Sequence, residues 1–233
     1  VTGVVIALDG PSGSGKSTVG RHLARVHRLG CLDTGAQFRA VAWYCDAHGI
    51  DLADGDGVAV AARDLPLEQS LDPDDQRVVV GGVDVTDAIR EPRISTVVSQ
   101  VATNLEVRAE LRRRQRSTIA AEVAGGWSDG RGILVEGRDI TTVIAPDADV
   151  RMLLVARAEE RLARRALEVH GSVDADAIEA TRDQILRRDA DDATVSTFHE
   201  AADGVVTLDS STLTLEETLA AAERIVTDVL SRS

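Results

Sequence analysis

A strand, a glycine-rich turn and a helix follow one another near the start of the chain, and this succession constrains the fold more than any other feature. Residues 4–8 form an apolar run with the length of a short buried strand. Gly10-Pro-Ser-Gly-Ser-Gly-Lys16-Ser17 fits G-x-x-x-x-G-K-[ST] without a mismatch, and residues 18–27 read as a helix. Glycines let a backbone wrap closely around phosphate groups with its N–H groups turned inward. A helix that begins near Lys16 adds its positive end at the same point. In such a loop the lysine reaches the β- and γ-phosphates and the hydroxyl after it ligates Mg²⁺. Lys16 is the only lysine in the chain; the other strongly basic side chains are all arginine. The stretch Gly10, Pro11, Ser12, Gly13, Ser14, Gly15, Lys16, Ser17 and Thr18 is therefore read as an ATP-binding loop.

At 233 residues the chain is long enough for one sizeable core with a small inserted subdomain. Aromatic residues make up only 2%, so that core must be built from Ala, Val, Leu and Ile. No apolar stretch approaches the ~20 residues that span a bilayer, and no signal peptide is read at the start. Cys31 and Cys45 are isolated and are expected to be reduced core residues of a cytoplasmic protein. The net charge of −13 argues against nucleic acid and anionic membrane as partners. A nucleotide site must nevertheless be locally positive, so the clustering of arginines against this acidic background carries the information.

After the first helix, residues 29–33 read as a strand that ends in a turn at Asp33–Gly35, and residues 36–47 as a helix that carries Phe38 and Arg39. Arg39 lies where a cation could meet a phosphate held by that turn. Residues 51–93 differ in texture: a helix at about 57–63, then β-like runs at 67–71, 77–80 and 83–85 separated by turn signals, as in a small antiparallel sheet. Residues 95–103 and 106–123 read as helices; most arginines of the second belong to a solvated face. Residues 132–136 form a buried strand that ends in Glu136-Gly137-Arg138-Asp139. Such a charged cluster is not a packing sequence, and in open α/β sheets ligands bind outside the carboxyl ends of the strands. Residues 150–155 form the next strand. Two charged helices follow at 158–170 and 177–188, with Arg161, Arg164 and Arg165 spaced i, i+3, i+4 on one face, and they read as a mobile lid. A strand at 205–208, a capping box at Thr214–Glu217 and a helix at 215–230 complete the chain. Strands alternating with helices predict a parallel sheet.

Taken together, the loop at 10–17, Leu32-Asp33-Thr34-Gly35-Ala36 with Arg39, Ser99-Gln100-Val101-Ala102, Arg113-Arg114-Gln115-Arg116, Glu136-Gly137-Arg138-Asp139, Pro146-Asp147-Ala148 and the arginines at 161, 164 and 165 occur in an order that resembles the bacterial cytidylate kinases. The likeness covers nearly the whole chain. It implies an α/β P-loop nucleoside-monophosphate kinase fold: a five-stranded parallel sheet core (1–50, 106–156 and 196–233), an inserted NMP-binding subdomain (about 51–105) and a helical lid (about 157–195). It implies transfer of the ATP γ-phosphoryl group to CMP or dCMP, by a monomer. Carried over residue by residue, it places Thr34 in the pocket as a hydroxyl, Arg39 and Arg138 on the acceptor phosphate, Ser99, Arg108 and Asp139 on the cytosine, and Arg188 and Asp192 near the ribose. Lys16, Arg138, Arg161, Arg164 and Arg165 become the catalytic cations. Ser17 becomes the Mg²⁺ ligand, with Asp33 or Glu136 acting through water.

The sequence departs from the family pattern at three points. The segment Asp191-Asp192-Ala193-Thr194-Val195-Ser196 lacks an expected arginine, Phe38 stands where Tyr is common, and Thr141 stands where Gly is common and is expected to stiffen or crowd the loop after Asp139. These departures leave two other readings open: a kinase of the same fold with a modified cytidine nucleotide or another small metabolite as acceptor, and a catalytically weak ATP-binding module.

Overall fold

The computed structural model describes residues 3–196, 198 and 200–232, without the side chains of residues 168–170, 180 and 183–188. The chain runs β1 (Val4–Asp9), α1 (Lys16–His27), β2 (Gly30–Asp33), α2 (Thr34–Ala47), α3 (Gly55–Asp64), β3 (Leu67–Gln69), β4 (Val78–Val80), β5 (Val83–Asp84), α4 (Pro92–Ala102) and α5 (Leu105–Val123). It continues through β6 (Gly132–Gly137), a single π-helical turn (Ile140–Ile144), β7 (Val150–Val155), α6 (Ala158–His170), α7 (Ala175–Ala193), β8 (Val206–Asp209) and α8 (Leu215–Leu230).

Five strands form a parallel sheet in the order β2-β6-β1-β7-β8. The central strand β1 is aliphatic on both faces because both faces are covered, as a parallel sheet requires. Ile6 and Leu8 pack with Leu23 of α1 and with Ala222 and Val226 of α8 on one side, while Ala7 packs with Ile133, Val135 and Ile140 on the other. Leucine, isoleucine, valine and alanine do this work, each large side chain contributing roughly 1.5–3 kcal/mol when fully buried. Phe198 is the one fully buried aromatic among the described residues.

The segment between α2 and α5 holds α3, a three-stranded antiparallel sheet (β3-β4-β5) and α4. Its core of Val58, Val78, Val80 and Ile94 is continuous with Val41 of α2 and Leu111 of α5, so the insert leans on the helices that flank it. Local signals start the helices: Asp33 caps α2 by accepting from the Ala36 N–H at 3.0 Å, Asn104 caps α5, and Thr214 and Glu217 close a capping box on α8. Helix α7 extends to Ala193, five residues past the end expected at Arg188. The acidic segment from Asp191 therefore begins as the last helical turn rather than as a loop. Among the described residues no helix is long and apolar enough to cross a membrane.

Candidate active site

A cleft of about 850 Å³ opens at the carboxyl ends of β1, β2 and β6, on the sheet edge where this architecture binds ligands. The glycine-rich loop forms one wall, Asp33–Gly35 and Arg39 the floor, and Glu136–Asp139 the opposite wall; the insert and α4 close the far side. Eight basic residues line it (Lys16, Arg21, Arg39, Arg77, Arg90, Arg108, Arg138 and Arg165) against seven acidic ones. In a chain of net charge −13, that near balance marks where cations were concentrated.

Close packing fixes the path of the loop. A Cβ on Gly10 would stand 2.2 Å from the Leu154 carbonyl oxygen, and one on Gly13, which has φ +73°, would stand 2.7 Å from the Arg161 carbonyl oxygen. Only glycine fits at either position. Lys16 Nζ donates to the Pro11 carbonyl at 2.9 Å, folded back across the loop it belongs to. Ser17 Oγ donates to Glu136 Oε2 at 3.1 Å. Asp33 accepts from Arg39 Nη2 at 2.8 Å.

Burial opposes ionisation of Asp33, but the Arg39 guanidinium and the Ala36 N–H outweigh it and hold this carboxyl below its ordinary range. Glu136 goes the other way: burial first, and the Asp33 charge second, push its carboxyl up. A hydroxyl, the buried Glu136 carboxyl and the half-buried Asp33 carboxyl beside it form a hard oxygen donor set. This fits Mg²⁺, which takes one or two carboxylates and completes its shell with water and phosphate oxygens.

On the opposite wall, Arg138 sits in a cradle of α7 carboxylates and an aromatic ring. Its Nη1 is 2.9 Å from Asp189, its Nη2 is 3.1 Å from Asp192, and its guanidinium lies 4.5 Å from the centre of the Phe198 ring. Arg108 donates to Asp139 at 2.5 Å and to the Ala102 carbonyl at 3.1 Å, and faces Phe38 at 5.9 Å.

Several expected site residues stand elsewhere or are otherwise engaged. Ser99, largely buried, does not line the cleft; α4 presents Pro92, Ser95, Val98 and Ala102 instead. The Thr34 side chain reaches the cleft, but its hydroxyl donates to the Glu136 carbonyl at 2.8 Å. Gly10, Pro11 and Ser14 shape the loop from behind its lining surface.

Of the three arginines expected to act together, only Arg165 lines the cleft. Arg161 is buried and bonds to Asp189 and to the Ser12 carbonyl (2.9 Å). Arg164 braces the Ser14 carbonyl (3.2 Å) against Ser210 (2.8 and 3.0 Å). Helix α6, which carries them, buries Leu162 and Ala166, and α7 buries Ala177, so both helices are docked rather than solvated. The side chain of Arg188 lies outside the described residues. Thr141 does not crowd its loop, since its hydroxyl and N–H both bond to Asp9.

Sequence reasoning passed over Asp189, Phe198 and Asp9. Asp189 follows a run of arginines and Phe198 stands in a polar stretch, so neither carries a local motif. Asp9 had one available signal, a carboxylate at the end of an otherwise apolar strand.

Similarity to known proteins extends over nearly the whole chain. The cytidylate kinase family model matches residues 6–228. A cytidylate kinase of Cutibacterium acnes is 45% identical over 96% of this chain and 96% of its own length. Cytidylate kinases of Streptomyces avermitilis and Streptomyces griseus subsp. griseus are 39% and 40% identical, over 94% and 93% of this chain and 90% and 89% of theirs. With its glycine-rich loop, its Arg138–Asp139 edge and relatives matched over nearly their whole length, the chain belongs to the cytidylate kinase family.

Proposed function

We infer that the protein transfers the γ-phosphoryl group of ATP to CMP or dCMP, giving ADP and CDP or dCDP, as a monomer working on free nucleotides in the cytoplasm. The observation that carries this reading is the meeting of the glycine-rich loop and the Arg138–Asp139 edge in one cleft, in a chain of the cytidylate kinase family. The core is read as 1–50, 106–156 and 196–233, the acceptor-binding insert as about 51–105 and the lid as about 157–195.

An acceptor phosphate is already anionic near neutral pH, so the reaction needs no strong general base. Alignment and charge neutralisation do the work. The loop amides and Lys16 hold the donor phosphates, Lys16 exchanging the Pro11 carbonyl for phosphate oxygen. Arg39 and Arg138 take the acceptor phosphate, Arg138 leaving part of its carboxylate cradle to do so. Asp139, held by Arg108, presents oxygen acceptors to the exocyclic amine of cytosine, and Arg108 presents donors to its acceptor edge. Thr34 offers lone pairs from a fixed hydroxyl, Ser99 supports α4 behind the base, and Asp192 with Arg188 faces the ribose. Arg165 reaches the phosphates directly, while Arg161 and Arg164 keep the lid seated on the loop and water outside. Ser17, with Asp33 or Glu136 acting through water, would hold Mg²⁺, which would neutralise charge on the donor phosphates.

The test is ³¹P NMR of the purified protein with Mg²⁺, ATP and CMP. The reading expects paired growth of ADP and CDP signals. Release of inorganic phosphate with CMP unchanged would refute it.

A further inference from the structure

Asp9 is the last residue of β1 and the residue before Gly10, and it is 1% exposed. Its carboxylate accepts the Ile140 N–H at 2.9 Å, the Thr141 N–H at 2.8 Å and the Thr141 hydroxyl at 2.7 Å. All three donors belong to the π-helical turn that follows Arg138 and Asp139. Two of them are N–H groups at the start of a helical turn, which have no partner within the turn itself. In the sheet, Asp9 pairs with Gly137, so backbone and side chain tie the same two segments together.

An acid buried beside aliphatic neighbours is costly unless its oxygens are satisfied. Burial does push this carboxyl up, against the pull of the bonds from Thr141 and Ile140. An apolar residue would fill the place more cheaply if packing were all that mattered. Asp9 therefore has a task. Its main chain starts the donor loop, whose position is fixed at Gly10 by the Leu154 carbonyl, and its side chain fixes the turn from which Arg138 and Asp139 project. In-line transfer is steeply sensitive to the separation of its two reactants, and Asp9 joins the two walls of the cleft at their base, where the loop leaves β1.

We propose that Asp9, with Thr141 as its partner, is a positioning residue that sets the acceptor-binding edge relative to the donor loop. The proposal rests on the reading that Arg138 and Asp139 hold the acceptor. It touches neither nucleotide, so its signature is a selective one: use of the acceptor suffers while ATP binding does not.

The experiment compares wild type with Asp9→Asn, Thr141→Val, Thr141→Ser and the Asp9→Asn/Thr141→Val double variant. It measures kcat and KM for the acceptor, and separately the Kd for ATP by titration without acceptor. Asparagine turns a donor toward groups that are themselves donors, leaving one of them unpaired. The expected result is a loss in acceptor kcat/KM of about 10²-fold for Asp9→Asn and about tenfold for Thr141→Val. ATP Kd should stay within about threefold in Thr141→Val, and Thr141→Ser should match wild type. The double variant should be no worse than Asp9→Asn alone, because the hydroxyl acts only through that carboxylate.

Equal losses on the ATP and acceptor sides, or a Thr141→Val enzyme indistinguishable from wild type, would overturn the proposal. The mild Thr141 variants keep this decision open should Asp9→Asn fail to fold. If the wild type prefers an acceptor other than CMP or dCMP, the reading of the substrate fails, and the same comparison with that acceptor still decides the role of Asp9.

Discussion

Asp189 and Arg138 lie 2.9 Å apart, carboxylate to guanidinium, across the seam between helix α7 and the end of strand β6. The same carboxylate accepts the Ser12 N–H of the glycine-rich loop at 3.0 Å and bonds Arg161 of α6. One buried side chain of α7 thus joins the glycine-rich loop, the end of β6 and helix α6. Burial alone would raise its affinity for a proton; the Arg138 charge and the bonds from Ser12 and Arg161 win, and hold the carboxyl below its ordinary range.

The pH dependence follows from that direction. A carboxyl whose folded-state pKa is depressed contributes stability that is fully present above its unfolded value, near 4, and is lost as pH falls through the lower folded value. Asp189→Asn should therefore cost about 3 kcal/mol near neutral pH, the scale of breaking a buried ion pair, and progressively less below about pH 4. Thermal unfolding of both proteins across this range checks it. A difference that stays constant with pH would show that the Asp189 charge is not what seats α7 against the loop and β6.

Asp139 is held at 2.5 Å by Arg108, whose other branch is anchored on the Ala102 carbonyl. A site built to pair hydrogen-bonding edges loses heavily when one partner is removed. Asp139→Ala should lower kcat/KM for CMP by about 10²-fold or more, while the Kd for ATP changes little. Equal damage to both would place Asp139 in the service of the fold or the donor site.

The two neighbouring arginines of α6, Arg164 and Arg165, should separate cleanly. Arg165 lines the cleft, so Arg165→Ala should lower kcat by about 10²-fold or more if it meets transition-state charge, with little change in melting temperature. Arg164 braces Ser14 against Ser210, so Arg164→Ala should lower stability by about 1.5–3 kcal/mol, the worth of hydrogen bonds to a charged group. Calorimetry alongside steady-state kinetics distinguishes them; the reverse pattern would exchange their roles.

What the sequence revealed follows from the range of the interactions involved. The loop at 10–17 is legible because its geometry is local: glycines at fixed offsets, a strand before and a helix after. Glu136-Gly137-Arg138-Asp139 is legible because four such residues have no place at the end of a buried strand except at a site. The capping box at Thr214 is equally local.

Asp189 is not legible, since its partners Ser12 and Arg138 lie 177 and 51 positions away and nothing near it in sequence marks the meeting. The length of α7 was hidden for a related reason. Its last turn is acidic, against the helix dipole, and is held by Arg138 of another element. Arg161 and Arg164 share a face with Arg165 by spacing, but spacing does not say that the first two are spent on the loop backbone and on Ser210. Thr141 reads as a crowded glycine position because the partner of its hydroxyl, Asp9, lies 132 positions away in sequence.

A cleft that joins ATP to a cytosine nucleotide should discriminate among acceptors, and ADP release with Mg²⁺ and ATP against CMP, dCMP, UMP and AMP reads this out. Turnover should be rapid with CMP or dCMP and, for UMP and AMP, kcat/KM should be lower by at least about 10²-fold, the cost of mismatching a hydrogen-bonding pocket. Comparable turnover with all four, or turnover with none, would contradict it.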